Sequence, residues 1–150
     1  WRERIKPNDI LSCHFLKKIE VEENWNNEKL NDRWAKILEI KNAFTFAVEH
    51  KRNLKEIKSS LEAKASIYLK NQEHIAIAKS LDLSEILISS NVIISDTFDE
   101  EHLFNSNEKV IGIKITKDNG KKCPRCWRLV KEFNSEIDLC FRCFAVINEN

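Results

Sequence analysis

Four cysteines constrain this chain more than any other feature. Cys123 and Cys126 stand two residues apart, as do Cys140 and Cys143, and thirteen residues separate the pairs. A C-x-x-C turn sets two thiolates on one side of a tight bend. Two such turns face to face supply four sulfurs at the corners of a tetrahedron, which zinc accepts at about 2.3 Å per bond. Four protein thiolates close the coordination sphere, so such a zinc is structural, with no position left for activating water. A thioredoxin-type redox centre needs one C-x-x-C beside a βαβ unit, not two matched pairs. A disulfide framework suits neither five cysteines in total nor the N-terminal WRERIKPNDI, which lacks the apolar core of a secretory signal. A reducing compartment is expected.

Both pairs are dressed alike. Pro124 helps set the first turn, Arg125 and Arg142 occupy equivalent interior positions, and Trp127 and Phe144 follow the two pairs. From residue 117 to 143 there are seven basic and four acidic side chains. A zinc with four thiolates carries about −2, so the segment stays close to neutral with the metal counted. Lys121, Lys122, Arg125, Arg128 and Arg142 therefore have two readings. They offset the thiolates through N–H···S contacts, or with Trp127 they meet phosphates and stack on bases. Charge alone does not choose between them.

The remaining chain reads as α+β. In WNNEKLNDRWAKILEIKNAFTFAVEHKR the apolar Leu30, Trp34, Ile37, Leu38, Phe44 and Val48 recur mostly at helical steps, predicting a helix over 27–52. Asn26 is the expected N-cap, with Trp25 stapling onto Leu30, and His50, Lys51 and Arg52 suit the C-terminal end. KASIYLK predicts a strand near 63–69, QEHIAIAKSLDL a helix, EILISSNVIIS a β-rich stretch, and KVIGIKITK a strand with Ile111, Ile113 and Ile115 on one face. DNG at 118–120 is a turn signal. Residues 1–27, including Pro7, read as irregular. Cys13 and His14 are read as a thiol and a surface imidazole outside any metal site, and His50, His74 and His102 show no partner spacing. Asp99, Glu100 and Glu101 read as a solvated acidic loop.

The formal net charge of +1 supplies no global attraction to polyanions. No apolar run approaches the roughly 18–20 residues that span a bilayer, so no membrane association is expected. The chain has no Met and starts at Trp1, which suggests a piece of a longer protein.

KCPRCWRLV…LCFRCFAVI resembles the C-terminal zinc finger of bacterial-type isoleucyl-tRNA synthetases. Upstream, SCHFLKK at 12–18, NEKLNDRWAKILEIKNAF and IKSSLEAKASIYL resemble further blocks of that family in the same order. Ile57, where glycine is usual, and Cys13, where the family often has an aliphatic residue, depart from its pattern. A related finger occurs in the formamidopyrimidine-DNA glycosylases, whose upstream sequence is not expected to carry these blocks.

The resemblance implies that residues 1–55 end a helical anticodon-binding domain, 56–117 form a small α/β domain, and 118–150 form the finger. By the same carry-over Cys123, Cys126, Cys140 and Cys143 are the ligands of one structural zinc. The expected partners are the anticodon side of the isoleucine tRNA and the rest of the same chain, in a cytoplasmic monomer. ATP and Mg belong to the catalytic part, whose HIGH and KMSKS signatures do not occur here, and no catalytic residue is assigned. A purely structural finger closing the C-terminus is the competing reading.

Overall fold

In the computed structural model, residues 14, 21–104, 110–134 and 136–148 are described. They fall in two units, 1–31 and 32–150. In the first, a 3-10 turn over Glu23–Trp25 leads to the opening turn of helix α1, Glu28–Asn53, whose residues from Asp32 onward belong to the second unit. The cap is Asn27, one residue later than expected: its side-chain oxygen accepts the N–H of Leu30 at 3.0 Å. Asn26 instead accepts from the Asn31 side chain, and Trp25 and Leu30 remain exposed. Cys13 and most of the 1–27 segment lie outside the described residues.

The second unit is built on one sheet. Strand β1, Ala63–Leu69, alternates buried and half-buried side chains, because Ala63, Ala65, Ile67 and Leu69 share one face at the two-residue period. Helices α2 (Gln72–Lys79) and α3 (Leu83–Leu87) carry the chain to β2 (Asn91–Ser95), which runs parallel to β1. Strands β3 (Leu103–Phe104) and β4 (Ile111–Lys117) complete the sheet in the order β2-β1-β4-β3, with β4 antiparallel to both neighbours. Ile111, Ile113 and Ile115 of β4 are buried on one face, as their alternation predicts.

One core joins the sheet to the helices. It contains Ile40, Phe44 and Val48 of α1, the buried face of β1 and β4, and Ala78, Leu83 and Leu87. The buried face of α1 is rotated from the expected one. Ile37, Ile40, Ala43, Phe44, Ala47 and Val48 face inward, while Trp34 and Leu38 stay about half exposed. Small Ala43 and Ala47, both fully buried, let the helix approach the sheet more closely than tryptophan would.

The expected helix over QEHIAIAKSLDL stops at Ser80. Asp82 then starts α3, its carboxylate accepting the N–H groups of Ser84 and Glu85. The β-rich stretch is accordingly shorter than expected, since Glu85–Leu87 are helical. The acidic loop is not simply solvated: Lys114 pairs with Asp99 at 2.8 Å and with Glu101 at 2.5 Å, and this ammonium holds the Asp99 carboxyl at about 2. His74 meets Glu39 of α1 at 2.9 Å and is buried. Among the described residues no helix is long and apolar enough to cross a membrane.

Ile113 is fully buried at the centre of this core. Ile113→Ala is expected to cost about 2–5 kcal/mol in urea unfolding, whereas Thr116→Ala, on an exposed position of the same strand, is expected to change stability by less than about 0.5 kcal/mol.

Candidate metal centre

Two short hairpins and a helix start position the cysteines. Strand β5, Lys121–Lys122, pairs with β6, Leu129–Val130, and the first C-x-x-C fills the turn between them. The Cys123 N–H donates to the Arg128 carbonyl and the Trp127 N–H to the Cys123 carbonyl, both at 2.9 Å. These bonds close the turn, and Trp127 accommodates it at φ 66°. Gly120 enters β5 against the backbone of Val130, where a Cβ would lie 2.5–2.6 Å from backbone atoms, so only glycine fits.

Strand β7, Phe133–Asn134, pairs with β8, Leu139–Cys140. The Asn134 side chain accepts the N–H groups of Glu136 and Ile137, and Asp138 turns the chain at φ 53°. Helix α4, Phe141–Asn148, follows at once and carries Cys143 in its first turn. A helix start directs free N–H groups toward negative charge, which favours thiolates there.

The result is a cluster of four sulfurs, all within 4.8 Å of one another. Cys126 and Cys140 are 3.8 Å apart, and a tetrahedron with bonds of about 2.3 Å has edges of about 3.8 Å. Cys123, Cys140 and Cys143 are buried, with Val130, Phe133 and Leu139 packed against them. The Arg125 guanidinium donates to the Cys143 sulfur at 3.6 Å. Such soft donors, so spaced, fit one thiophilic divalent ion.

The thiols do not share negative charge evenly. Burial opposes ionisation of Cys123, yet the backbone N–H groups of Cys126, Cys140 and Arg125 together draw it down to about 6. Cys140 is pushed up to about 12, first by burial and then by the neighbouring sulfurs, although the Cys143 N–H works the other way. Burial also pushes Cys126 up. A central cation favours the thiolate at all four positions and removes the conflict.

No protein-family profile matches the chain. Curated relatives do. The chain is 31% identical over 151 residues to an isoleucine–tRNA ligase of Gluconobacter oxydans, covering 99% of the chain and 15% of the relative. It is 35% identical over 120 residues to the isoleucine–tRNA ligase of Pelagibacter ubique, covering 80% of the chain and 12% of the relative. It is 30% identical over 153 residues to that of Caldicellulosiruptor saccharolyticus, covering 98% of the chain and 16% of the relative. The chain belongs to the isoleucine–tRNA ligase family. It corresponds to a C-terminal segment and spans only 12–16% of the length of these curated ligases.

Within this ligase segment the six candidate RNA-contacting residues separate into two groups. Arg128 and Arg142 both turn to Glu85 of α3. Arg142 holds the carboxylate with two bonds, Nε to Oε1 at 2.7 Å and Nη2 to Oε2 at 3.0 Å. Arg128 donates to Glu85 at 3.2 Å and to the Ser84 carbonyl at 3.0 Å, and its side chain is only 11% exposed. The Leu129 N–H adds a bond to Ser90 Oγ at 2.8 Å. Together these contacts fasten the cysteine-bearing segment to α3 and to the residue preceding β2. Arg125 is engaged with sulfur, as described above.

Lys121, Lys122 and Trp127 remain at the surface. Lys121 pairs with Asp138 and lies over the Phe133 ring. Lys122 stands 5.5 Å from the centre of the Trp127 ring, which is 59% exposed. Nothing local in the sequence marks Glu85 or Ser90, whose partners in the cysteine-bearing segment lie 39 to 57 residues away.

Removing the shared carboxylate is expected to loosen this junction. Glu85→Ala should lower stability in urea by roughly 1–2 kcal/mol, while Lys122→Ala should change it by less than about 0.5 kcal/mol. Equal effects would show that the bridge contributes nothing beyond a surface ion pair.

Proposed function

We propose that Cys123, Cys126, Cys140 and Cys143 hold one structural zinc ion and that the finger so formed supports tRNA binding by an isoleucine–tRNA ligase. The whole protein would attach isoleucine to its tRNA with ATP and Mg in the cytoplasm, with the catalytic and editing parts outside this chain. Residues 1–55 would end the anticodon-binding domain, 56–117 would form the linking α/β element, and 118–150 the finger. The observation that carries the reading is the cluster of four sulfurs at tetrahedral spacing in a chain aligned almost end to end with isoleucine–tRNA ligases.

Within that reading Lys122 and Trp127 are the best placed of the candidates to meet RNA. The ring and the ammonium are exposed side by side, suited to a base face and a phosphate. Arg128 and Arg142 favour the structural role, because both are spent on Glu85. The two roles coexist in one finger: one side fastened to the α/β element, the other presented to the anticodon side of the tRNA.

Filter-binding titrations of the full-length ligase with its tRNA across a salt series test this. Lys122→Glu is expected to weaken binding several-fold and to reduce the slope of log affinity against log salt by roughly 0.7–0.9, the loss of about one phosphate contact. Arg128→Glu should instead lower the unfolding midpoint. Unchanged tRNA affinity in Lys122→Glu and Trp127→Ala, in folded enzyme, would rule out contact through this face and leave the structural role alone.

A further inference from the structure

Strand β2 forms one edge of the four-stranded sheet, and no strand pairs with its outer side among the described residues. Its ladder to β1 runs from Lys64↔Asn91 to Tyr68↔Ser95, so alternate N–H and C=O groups of Asn91–Ser95 turn outward. Among the described residues no other backbone–backbone hydrogen bond involves these five. An exposed edge of this kind is a template for another strand, and proteins usually blunt it with charge, proline, a bulge or short length. The opposite edge, β3, is two residues long. Strand β2 has none of these devices. SSNVIIS, residues 89–95, contains no charge, proline or glycine, and Val92, Ile93 and Ile94 are strong β-formers.

Both sides of the edge are shaped for a further strand. On the helix side, Val92 and Ile94 border a groove of about 270 Å³ with a mixed lining, Leu81 and Leu83 beside the polar Asp82 and Ser84. On the other side Ile93 is 46% exposed, beside Ser95. An extended segment laid along β2 would place alternate side chains into this groove and over the face that carries Ile93 and Ser95.

We propose that in the full-length ligase the outer edge of β2 is covered by an extended, β-branched segment of the same polypeptide, which adds a fifth strand to the sheet. This rests on the family assignment and on neither the zinc nor the tRNA reading. The chain accounts for only 12–16% of its relatives' length, so most of the polypeptide lies elsewhere and is tethered at high effective concentration. The uncharged strand offers nothing to a phosphate backbone. A five-residue strand pair with a second copy would bury far less than the roughly 1,200 Å² of a stable interface.

The test uses full-length ligase, with hydrogen–deuterium exchange read across residues 91–95 and a photo-crosslinking benzoylphenylalanine in place of Ile93. Expected are exchange of the outward amides at least about tenfold slower than the unprotected rate, independent of enzyme concentration and of tRNA, and a crosslink to one segment of the same molecule outside residues 1–150. Ile93→Lys should accelerate exchange in both partners while leaving β1 and β4 protected. Outward amides exchanging at the unprotected rate would overturn the proposal. So would protection that rises with protein concentration, crosslinks to a second copy, or protection that appears only when tRNA is added.

Discussion

Four sulfur atoms held within 4.8 Å of one another are the constraint on which the C-terminal part of this chain depends. Beyond β4 the described residues with buried apolar side chains are Cys123, Cys140 and Cys143 alone. No leucine, isoleucine or phenylalanine there is fully enclosed, and four of the strands in this region are two residues long. Segments that small do not bury enough apolar area to offset their conformational entropy. In the zinc-bound state proposed here, coordination would supply what packing does not, and folding of the finger and metal binding would become one event.

The finger is nevertheless not a free appendage. Glu85 accepts from two arginines that lie on either side of the cluster, one leaving the first cysteine turn and one inside the second. Ser90 accepts from Leu129 between them. Arg128 and Arg142, each set by one cysteine pair, thereby meet on one carboxylate of α3. Lys122 and Trp127 take no part in this junction and stand exposed. The αL backbone of Trp127 fits this division: the turn that brings its N–H back to Cys123 also turns the ring outward.

Legibility in the sequence followed the range of the interactions. The alternation in Ala63–Leu69 and Ile111–Lys117 marked two central strands, since each carries its own burial pattern. The C-x-x-C pairs marked the cluster, because ligand spacing is a local property. Hydrophobic periodicity alone does not give the inward face of α1, because Trp34 and Leu38 stay half exposed while the small Ala43 and Ala47 approach the sheet. The break at Ser80 was hidden by apolar residues on both sides, though Asp82 followed by Ser84 and Glu85 is a recognisable cap. The bond from Glu85 to Arg142 spans 57 residues, and no pattern in one sequence announces it. The family resemblance was carried by blocks on either side of the least distinctive region, 70–107, which contains Glu85 and β2.

The measurement that bears most directly on the central claim is zinc X-ray absorption on the purified full-length ligase, paired with the metal-to-protein ratio of this segment's cysteine variants. A sulfur shell of four scatterers at about 2.3 Å is expected, lost in Cys123→Ser together with the exchange protection of residues 121–148, while β1 and β4 stay protected. A shell dominated by nitrogen and oxygen, or protection of residues 121–148 that survives complete removal of metal, would contradict that claim.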